Sequence, residues 1–118
     1  MSKIIVTSAW PYIHGMPHLG NITGSILPAD VFARFCRIHG DDVIYVTGSD
    51  AHGTPIEVSA FKEGITPKEL AYRNHERVKK LFDQLTIQFD NYSITDSNTN
   101  KEVVYDFFNK IKKNNLID

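Results

Sequence analysis

The sequence predicts an α/β fold, a three-stranded parallel sheet flanked by helices, and three observations carry that expectation. Short β-branched runs alternate with longer segments of helical periodicity. The element order reads β-α-β-α-α-β-α, and such alternation means parallel strands joined by crossovers. No repeat, low-complexity tract or linker-like stretch interrupts the chain, so its 118 residues read as one continuous unit.

Ile4-Ile5-Val6-Thr7 is too short for a helix and apolar on both faces, which predicts a buried parallel strand. A loop rich in Pro, Gly and His runs from Trp10 to Pro17. Residues 19–39 read as a helix, because Ile22, Ile26, Ala29, Ala33 and Cys36 recur at helical spacing and Gly40 is a suitable stop. Pro28 is discordant there and is expected to kink the helix or loosen its first turns. Val43-Ile44-Tyr45-Val46-Thr47 predicts a second buried strand, ending at Gly48-Ser49-Asp50.

Two helix starts come next. Thr54-Pro55-Ile56-Glu57 and Thr66-Pro67-Lys68-Glu69 each place Thr at the N-cap, Pro at the first helical position and Glu at the third. The first helix stops at Gly64. The second puts Leu70, Val78, Leu81 and Leu85 on one face and ends near Thr86. Tyr92-Ser93-Ile94-Thr95 is a weaker third strand. Thr99 to Glu102 repeats the capping pattern and opens a last helix with Val103, Val104, Phe107, Phe108 and Ile111 expected to face inward.

Composition narrows the function classes. A hydrophobic share of 42% and a charged share of 23% are those of an ordinary globular domain. The formal net charge is -1, with three basic and five acidic residues in 1–59 and ten and nine in 60–118. Neither half attracts polyanions by bulk charge, so anion binding has to be local and geometric. The single cysteine, Cys36, excludes an internal disulfide framework and a Cys-based zinc cluster, and its helical setting predicts a buried, inert thiol. The start Met1-Ser2-Lys3 has no signal-peptide architecture and no run is long enough to span a bilayer. The expected compartment is therefore the cytoplasm.

Ligands of such sheets sit outside the carboxyl ends of the strands. Residues 8–21 and 48–54, the two most unusual segments, come directly after the first and second strands and are expected to meet at one end of the sheet. Neither G-x-x-x-x-G-K-[ST] nor G-x-G-x-x-G is present. Instead, Pro17-His18-Leu19-Gly20-Asn21 stands at the mouth of the first helix, where unpaired N–H groups and the helix dipole favour an anion. Gly20 leaves the backbone open to a ligand, and His18 and Asn21 can both aim side-chain donors at one anion. The plainer reading makes His18 a loop histidine and Asn21 a mere cap.

In Gly48-Ser49-Asp50-Ala51-His52-Gly53-Thr54, Asp50 can hold an ammonium group or a ribose. With His52 it offers only two ligands, a weak case for a metal. The plainer reading is a turn in which Asp50 bonds local backbone.

Three segments together resemble the N-terminal part of the methionyl-tRNA synthetases, a family of class I aminoacyl-tRNA synthetases. They are Thr7-Ser8-Ala9-Trp10-Pro11-Tyr12, then His18-Leu19-Gly20-Asn21, and then Gly48 through Ile56. The resemblance runs from residue 3 to about residue 117 and includes Asp90-Asn91-Tyr92. The His18–Asn21 signature alone is shared with other class I synthetases and small nucleotidyltransferases. Trp10-Pro11-Tyr12 and Asp50-Ala51-His52-Gly53-Thr54 narrow it to the methionine enzymes.

The resemblance implies that methionine's carboxylate attacks the α-phosphorus of Mg-ATP, pyrophosphate leaves, and the methionyl group passes to the 3′ adenosine of a tRNA. On it, His18 and Asn21 are the catalytic, ATP-phosphate-contacting positions, and Gly20 makes room for adenine or ribose. Asn21 stands where the usual signature has a second histidine. Trp10, Tyr12 and Asp50 fall on methionine-binding positions: backbone at Trp10 and the Asp50 carboxylate meet the α-ammonium, while Tyr12 closes over the side chain. For Trp10 and Tyr12 the rival reading is plain core aromatics. His14 stands where relatives often carry Asn and receives no role. His39 and His75 are expected to be ordinary surface or helix residues.

The chain contains no Lys-Met-Ser-Lys-Ser sequence, the family's second signature. Nor does it match the family's inserted connective domain with its zinc knuckle or the helical anticodon-binding domain. The resemblance therefore implies residues 1–118 as the N-terminal half of a Rossmann-like catalytic domain, a fragment or a truncated relative. No zinc is expected within it, and tRNA contacts are expected from parts it does not contain. Such a chain keeps part of the ATP and methionine pockets, has negligible activity alone, and exposes the edge of its first strand to self-association. Two alternatives stand beside this: a small nucleotidyltransferase with the same signature, and a non-catalytic module binding ATP, methionine or a partner subunit.

Overall fold

The computed structural model describes residues 1–117. Strands β1 (Lys3–Thr7), β2 (Asp42–Ser49) and β3 (Asn91–Ile94) form one sheet in the order β1-β2-β3. Both pairings are parallel, with Ile5 beside Ile44 and Gly48 beside Ser93. The connection from β1 to β2 is one continuous helical run: α1 (Leu19–Asn21), a π-helical turn (Ile22–Ile26) and α2 (Leu27–Ile38). Helices α3 (Thr54–Glu63) and α4 (Pro67–Gln84) connect β2 to β3, and α5 (Asn98–Lys113) comes last. The predicted fold class and element order are those observed.

The π turn is where the discordant Pro28 is absorbed. Proline has no N–H to give the carbonyl four residues back and its ring crowds that carbonyl. One turn earlier the helix widens, so that Leu27 donates to the Ile22 carbonyl, five residues back. Ile26, Ala33 and Cys36 are buried as their spacing predicts. Buried Asp30 ties this helix to the approach to β3, accepting from Arg34 Nε at 2.8 Å and from the Gln88 backbone at 2.9 Å. The core gathers around fully buried Tyr45, Phe82, Ile26, Ile56, Leu70 and Val78. Phe89 packs on Tyr45 and Phe82 at ring separations of 4.9 and 5.5 Å.

Several local expectations are corrected. β1 is not buried on both faces: Val6 is buried, but Ile5 is 73% exposed and its register partner Ile44 is also exposed. Helix α2 covers one face of β1 and β2, and nothing among the described residues covers the other at Ile5. Thr54 is not an N-cap but the first helical residue. Gly53, at φ 123°, takes the cap position, and no side chain among the described residues caps the helix. Thr66 does cap α4, in a reciprocal box with Glu69. The buried face of α4 includes Leu70 and Val78, but Leu85 is exposed and Leu81 half-buried; Ala71, Asn74, His75 and Phe82 take the inner positions. The cap of α5 is Ser97, accepting from the Asn100 amide, rather than Thr99. Val103, Val104, Phe107, Phe108 and Ile111 are all exposed, because no other described element packs on that face.

Candidate functional site

The segments after β1 and β2 interlock at the carboxyl end of the sheet. Tyr12 pairs with Asp50 as an isolated parallel bridge. The Asp50 amide donates to the Pro11 carbonyl at 2.9 Å, and the Ile13 amide donates to the Asp50 carbonyl at 3.2 Å. The loop after β1 thus extends the sheet for one step beyond its named strands, and buried Ile13 fastens it to the core.

Two glycines make the interlock possible. A Cβ on Gly48 would lie 2.4 Å from the Ser93 carbonyl oxygen and 2.6 Å from Trp10 Cζ3, so only glycine lets the Trp10 ring lie across β2. Gly53 holds a positive φ that disfavours other residues, and a Cβ there would meet Tyr12 Cε1 at 3.3 Å. Each aromatic of the first loop therefore rests on a glycine of the second. Trp10 remains 40% and Tyr12 54% exposed, so neither is a plain core aromatic.

His18 and Asn21 cap each other. His18 Nδ1 accepts from the Asn21 amide, and Asn21 Oδ1 accepts from the His18 amide, both at 3.2 Å. This box uses the acceptor of each side chain and fixes the neutral imidazole as the tautomer with its proton on Nε2. What remains is Nε2–H on His18 and the Asn21 amide NH2, both donors. Gly20 serves this box directly: a Cβ there would sit 3.1 Å from His18 Cε1 and Nδ1.

Trp10, Tyr12, His18 and Asn21 line one cleft of about 370 Å³, together with Ile13, His14, Met16 and Val78. Gly20 lines a second cleft of about 260 Å³ with Ala9, Ser25 and Asn21, which belongs to both. Asp50 borders the first cleft through its ladder to Tyr12 but lines neither. Its Oδ1 accepts from the His52 amide at 3.2 Å and from Thr95 Oγ1 at 3.3 Å, which is the turn-forming role of the plainer reading. Oδ2 makes no hydrogen bond among the described residues, so one oxygen builds the turn while the other is unused. His52 faces Asp96 at 3.9 Å rather than Asp50. Among the described residues no three His, Cys, Asp or Glu side chains gather as a metal set. Another concavity, of about 690 Å³, lies beside Arg37, Lys79 and Gln88–Tyr92 and contains none of the predicted residues. There Arg37 is already paired with Asp90 at 2.6 Å.

His75 departs from its expected role as an ordinary helix residue. It is 8% exposed, its Nδ1 lies 3.0 Å from Ser49 Oγ, and its ring stacks on Tyr92 at 5.1 Å. Ser49 Oγ lies 2.7 Å from the Tyr92 hydroxyl, completing a buried polar chain at the end of β2. Burial pushes the His75 pKa down and that of Tyr92 up. Asn74 beside it is 4% exposed and donates from Nδ2 to the Ile13 carbonyl at 2.8 Å. The signal was a polar Asn-His pair inside the apolar stripe between Leu70 and Val78. His39 is exposed as expected, 3.5 Å from Asp41.

The family model for tRNA synthetases class I (M) matches residues 4–118. The chain is 55% identical to the methionine--tRNA ligase of Thermofilum pendens over 115 residues, covering 98% of this chain and 20% of that protein. It is 56% identical to that of Ignicoccus hospitalis over 117 residues, covering 99% and 21%. Among solved structures, Mycobacterium tuberculosis methionyl-tRNA synthetase bound by methionyl-adenylate is similar with a TM-score of 0.76 and 32% identity, over 80% of this chain and 18% of that one. A second structure of that synthetase with methionyl-adenylate gives a TM-score of 0.80 at 31% identity, over 84% and 19%. The chain thus spans about a fifth of the length of these relatives. With the family match covering nearly all of its sequence, the chain belongs to the tRNA synthetases class I (M).

Proposed function

We propose that residues 1–118 are the first half of a Rossmann-like catalytic domain that activates methionine with ATP and, in a longer enzyme, passes it to tRNA. The observation that carries this reading is the Tyr12–Asp50 ladder, which joins the two loops beside a cleft lined by Trp10, Tyr12, His18 and Asn21. The M. tuberculosis relatives are described with methionyl-adenylate, the product of that first step. A cytoplasmic location goes with this role; no described helix is long and apolar enough to cross a membrane.

In this reading methionine's carboxylate oxygen attacks the α-phosphorus of ATP, supplied with Mg2+ as the substrate complex. Pyrophosphate departs from the same phosphorus. Displacement at phosphorus is served mainly by positioning and by charge stabilisation. His18 Nε2–H and the Asn21 amide NH2 donate to phosphate oxygens, their acceptors being already committed to each other. Gly20 serves the ATP side by letting the His18 ring fold against the backbone in the required tautomer. Asp50 offers Oδ2 and Trp10 its backbone to the α-ammonium, and Tyr12 closes over the side chain.

No lysine signature accompanies these groups in the sequence, and the loss of one such charge contact costs roughly a hundredfold or more in rate. The 118-residue chain alone is therefore expected to catalyse negligible ATP–pyrophosphate exchange. Exchange at a rate near that of a full synthetase overturns this expectation. Calorimetry with a non-hydrolysable methionyl-adenylate analogue tests the pocket itself. Binding of the analogue supports the reading. Binding of ATP alone points to a nucleotidyltransferase, and binding of neither to a structural module.

A further inference from the structure

The middle of α4 carries two buried polar residues side by side, one reaching the loop after β1 and the other the last residue of β2. Asn74 Nδ2 donates to the Ile13 carbonyl, one residue past the Tyr12 bridge, at 2.8 Å. His75 Nδ1 meets Ser49 Oγ, one residue before Asp50, at 3.0 Å. A core-facing helix stripe has no use for two polar side chains unless groups opposite them need partners, since unpaired buried polar groups are costly. Here the partners lie on the two strands of the ladder, one above and one below the Tyr12–Asp50 pair.

We propose that Asn74 and His75 are positioning residues, a two-point clamp on α4 that fixes the loop bearing Trp10 and Tyr12 against Asp50. Neither residue lines the cleft or touches its contents. They act through Ile13 and Ser49. The backbone bonds Ile13 N–H to Asp50 O and Asp50 N–H to Pro11 O, at 3.2 and 2.9 Å, are the ones the clamp holds closed. A loop attached by a single bridge opens more readily than a strand within a sheet. The pocket meaning of the clamp rests on the methionine-activating reading, whereas its geometry does not.

Amide hydrogen exchange on the full chain, with Asn74→Ala and the volume-conserving Asn74→Leu, separates the two. Asn74→Leu keeps the core filled should Asn74→Ala not fold. Losing the donor strands the Ile13 carbonyl, so exchange at the Ile13 and Asp50 amides should rise about tenfold or more. The Tyr45 amide in mid-β2 should hold its rate. Equal acceleration at all three, or none, overturns the clamp. Calorimetry with the methionyl-adenylate analogue is the second arm. If the unaltered chain binds, Asn74→Leu should weaken binding about tenfold; unchanged affinity overturns the positioning role. If the unaltered chain binds nothing, the methionine reading of this pocket fails, while faster exchange at Ile13 and Asp50 still upholds the clamp.

Discussion

Burial decides what His75 does as pH changes. Its pKa is held below the ordinary histidine value of about 6.5 by desolvation, with Glu76 and Lys79 pulling in opposite directions. The unfolded chain therefore takes up this proton at a higher pH than the folded one. The stability contribution is complete above about 6.5 and drains away as pH falls toward the folded pKa, by at most about 1.4 kcal/mol per pH unit. His75→Gln removes the titration but keeps a polar side chain beside Ser49. In urea unfolding, the unaltered protein should exceed His75→Gln in stability by more at pH 7.5 than at pH 5. An identical gap at the two pH values would show that His75 is not held neutral. At this scale the motif residues themselves were legible. What they do to one another was not, because a string shows neither the reciprocal His18–Asn21 box nor the two ring-on-glycine contacts. The box turns on the loop conformation at His18, and the ring contacts join residues distant in sequence.

At the scale of the element, one pattern used twice gives two outcomes. Thr54-Pro55-Ile56-Glu57 and Thr66-Pro67-Lys68-Glu69 have the same capping signature. Thr66 accepts from the Glu69 amide at 3.2 Å, and Glu69 returns to the Thr66 amide at 2.9 Å. Thr54 lies inside the helix because Gly53, at φ 123°, turns the chain one residue early to pass beneath Tyr12. Tertiary fit overrides the local signature there. Thr66→Ala should cost about 1 kcal/mol in chemical denaturation, and Thr54→Ala no more than about 0.5 kcal/mol. Equal losses would mean that both threonines cap. Strand and helix order was readable because hydrophobic period survives any context. The Thr66 cap and the inward Leu70 and Val78 were readable as well, but the caps of α3 and α5 and the rest of the inner face of α4 were not, since they answer to neighbours: a pattern search favours Leu81 and Leu85, while Ile13 and Ser49 recruit Asn74 and His75.

For the whole molecule, the telling quantity is how far it departs from compactness. A folded domain of this length has a radius of gyration of roughly 13–14 Å, whereas the Cα value here is 16.7 Å, with extents of 45 × 42 × 21 Å. Two surfaces stand open among the described residues. Helix α5 turns Phe107, Phe108 and Val104 to the outside, and β1 leaves an unpaired edge next to the open apolar pair Ile5 and Ile44. An apolar periodicity names a face without naming its cover, which is why the inward reading of α5 failed while its helical character held. An uncovered edge strand is a template for another strand. A second copy fits β1 well: antiparallel pairing centred on Ile5 sets Lys3, the only charged residue of the strand, opposite Thr7, so no like charges meet. Sedimentation of the unaltered chain should therefore show concentration-dependent association, and Ile5→Lys, which sets two like charges face to face at the centre of that pairing, should shift it toward monomer. A monomer at every concentration removes β1 as a self-pairing edge, and association untouched by Ile5→Lys moves the contact to the exposed face of α5.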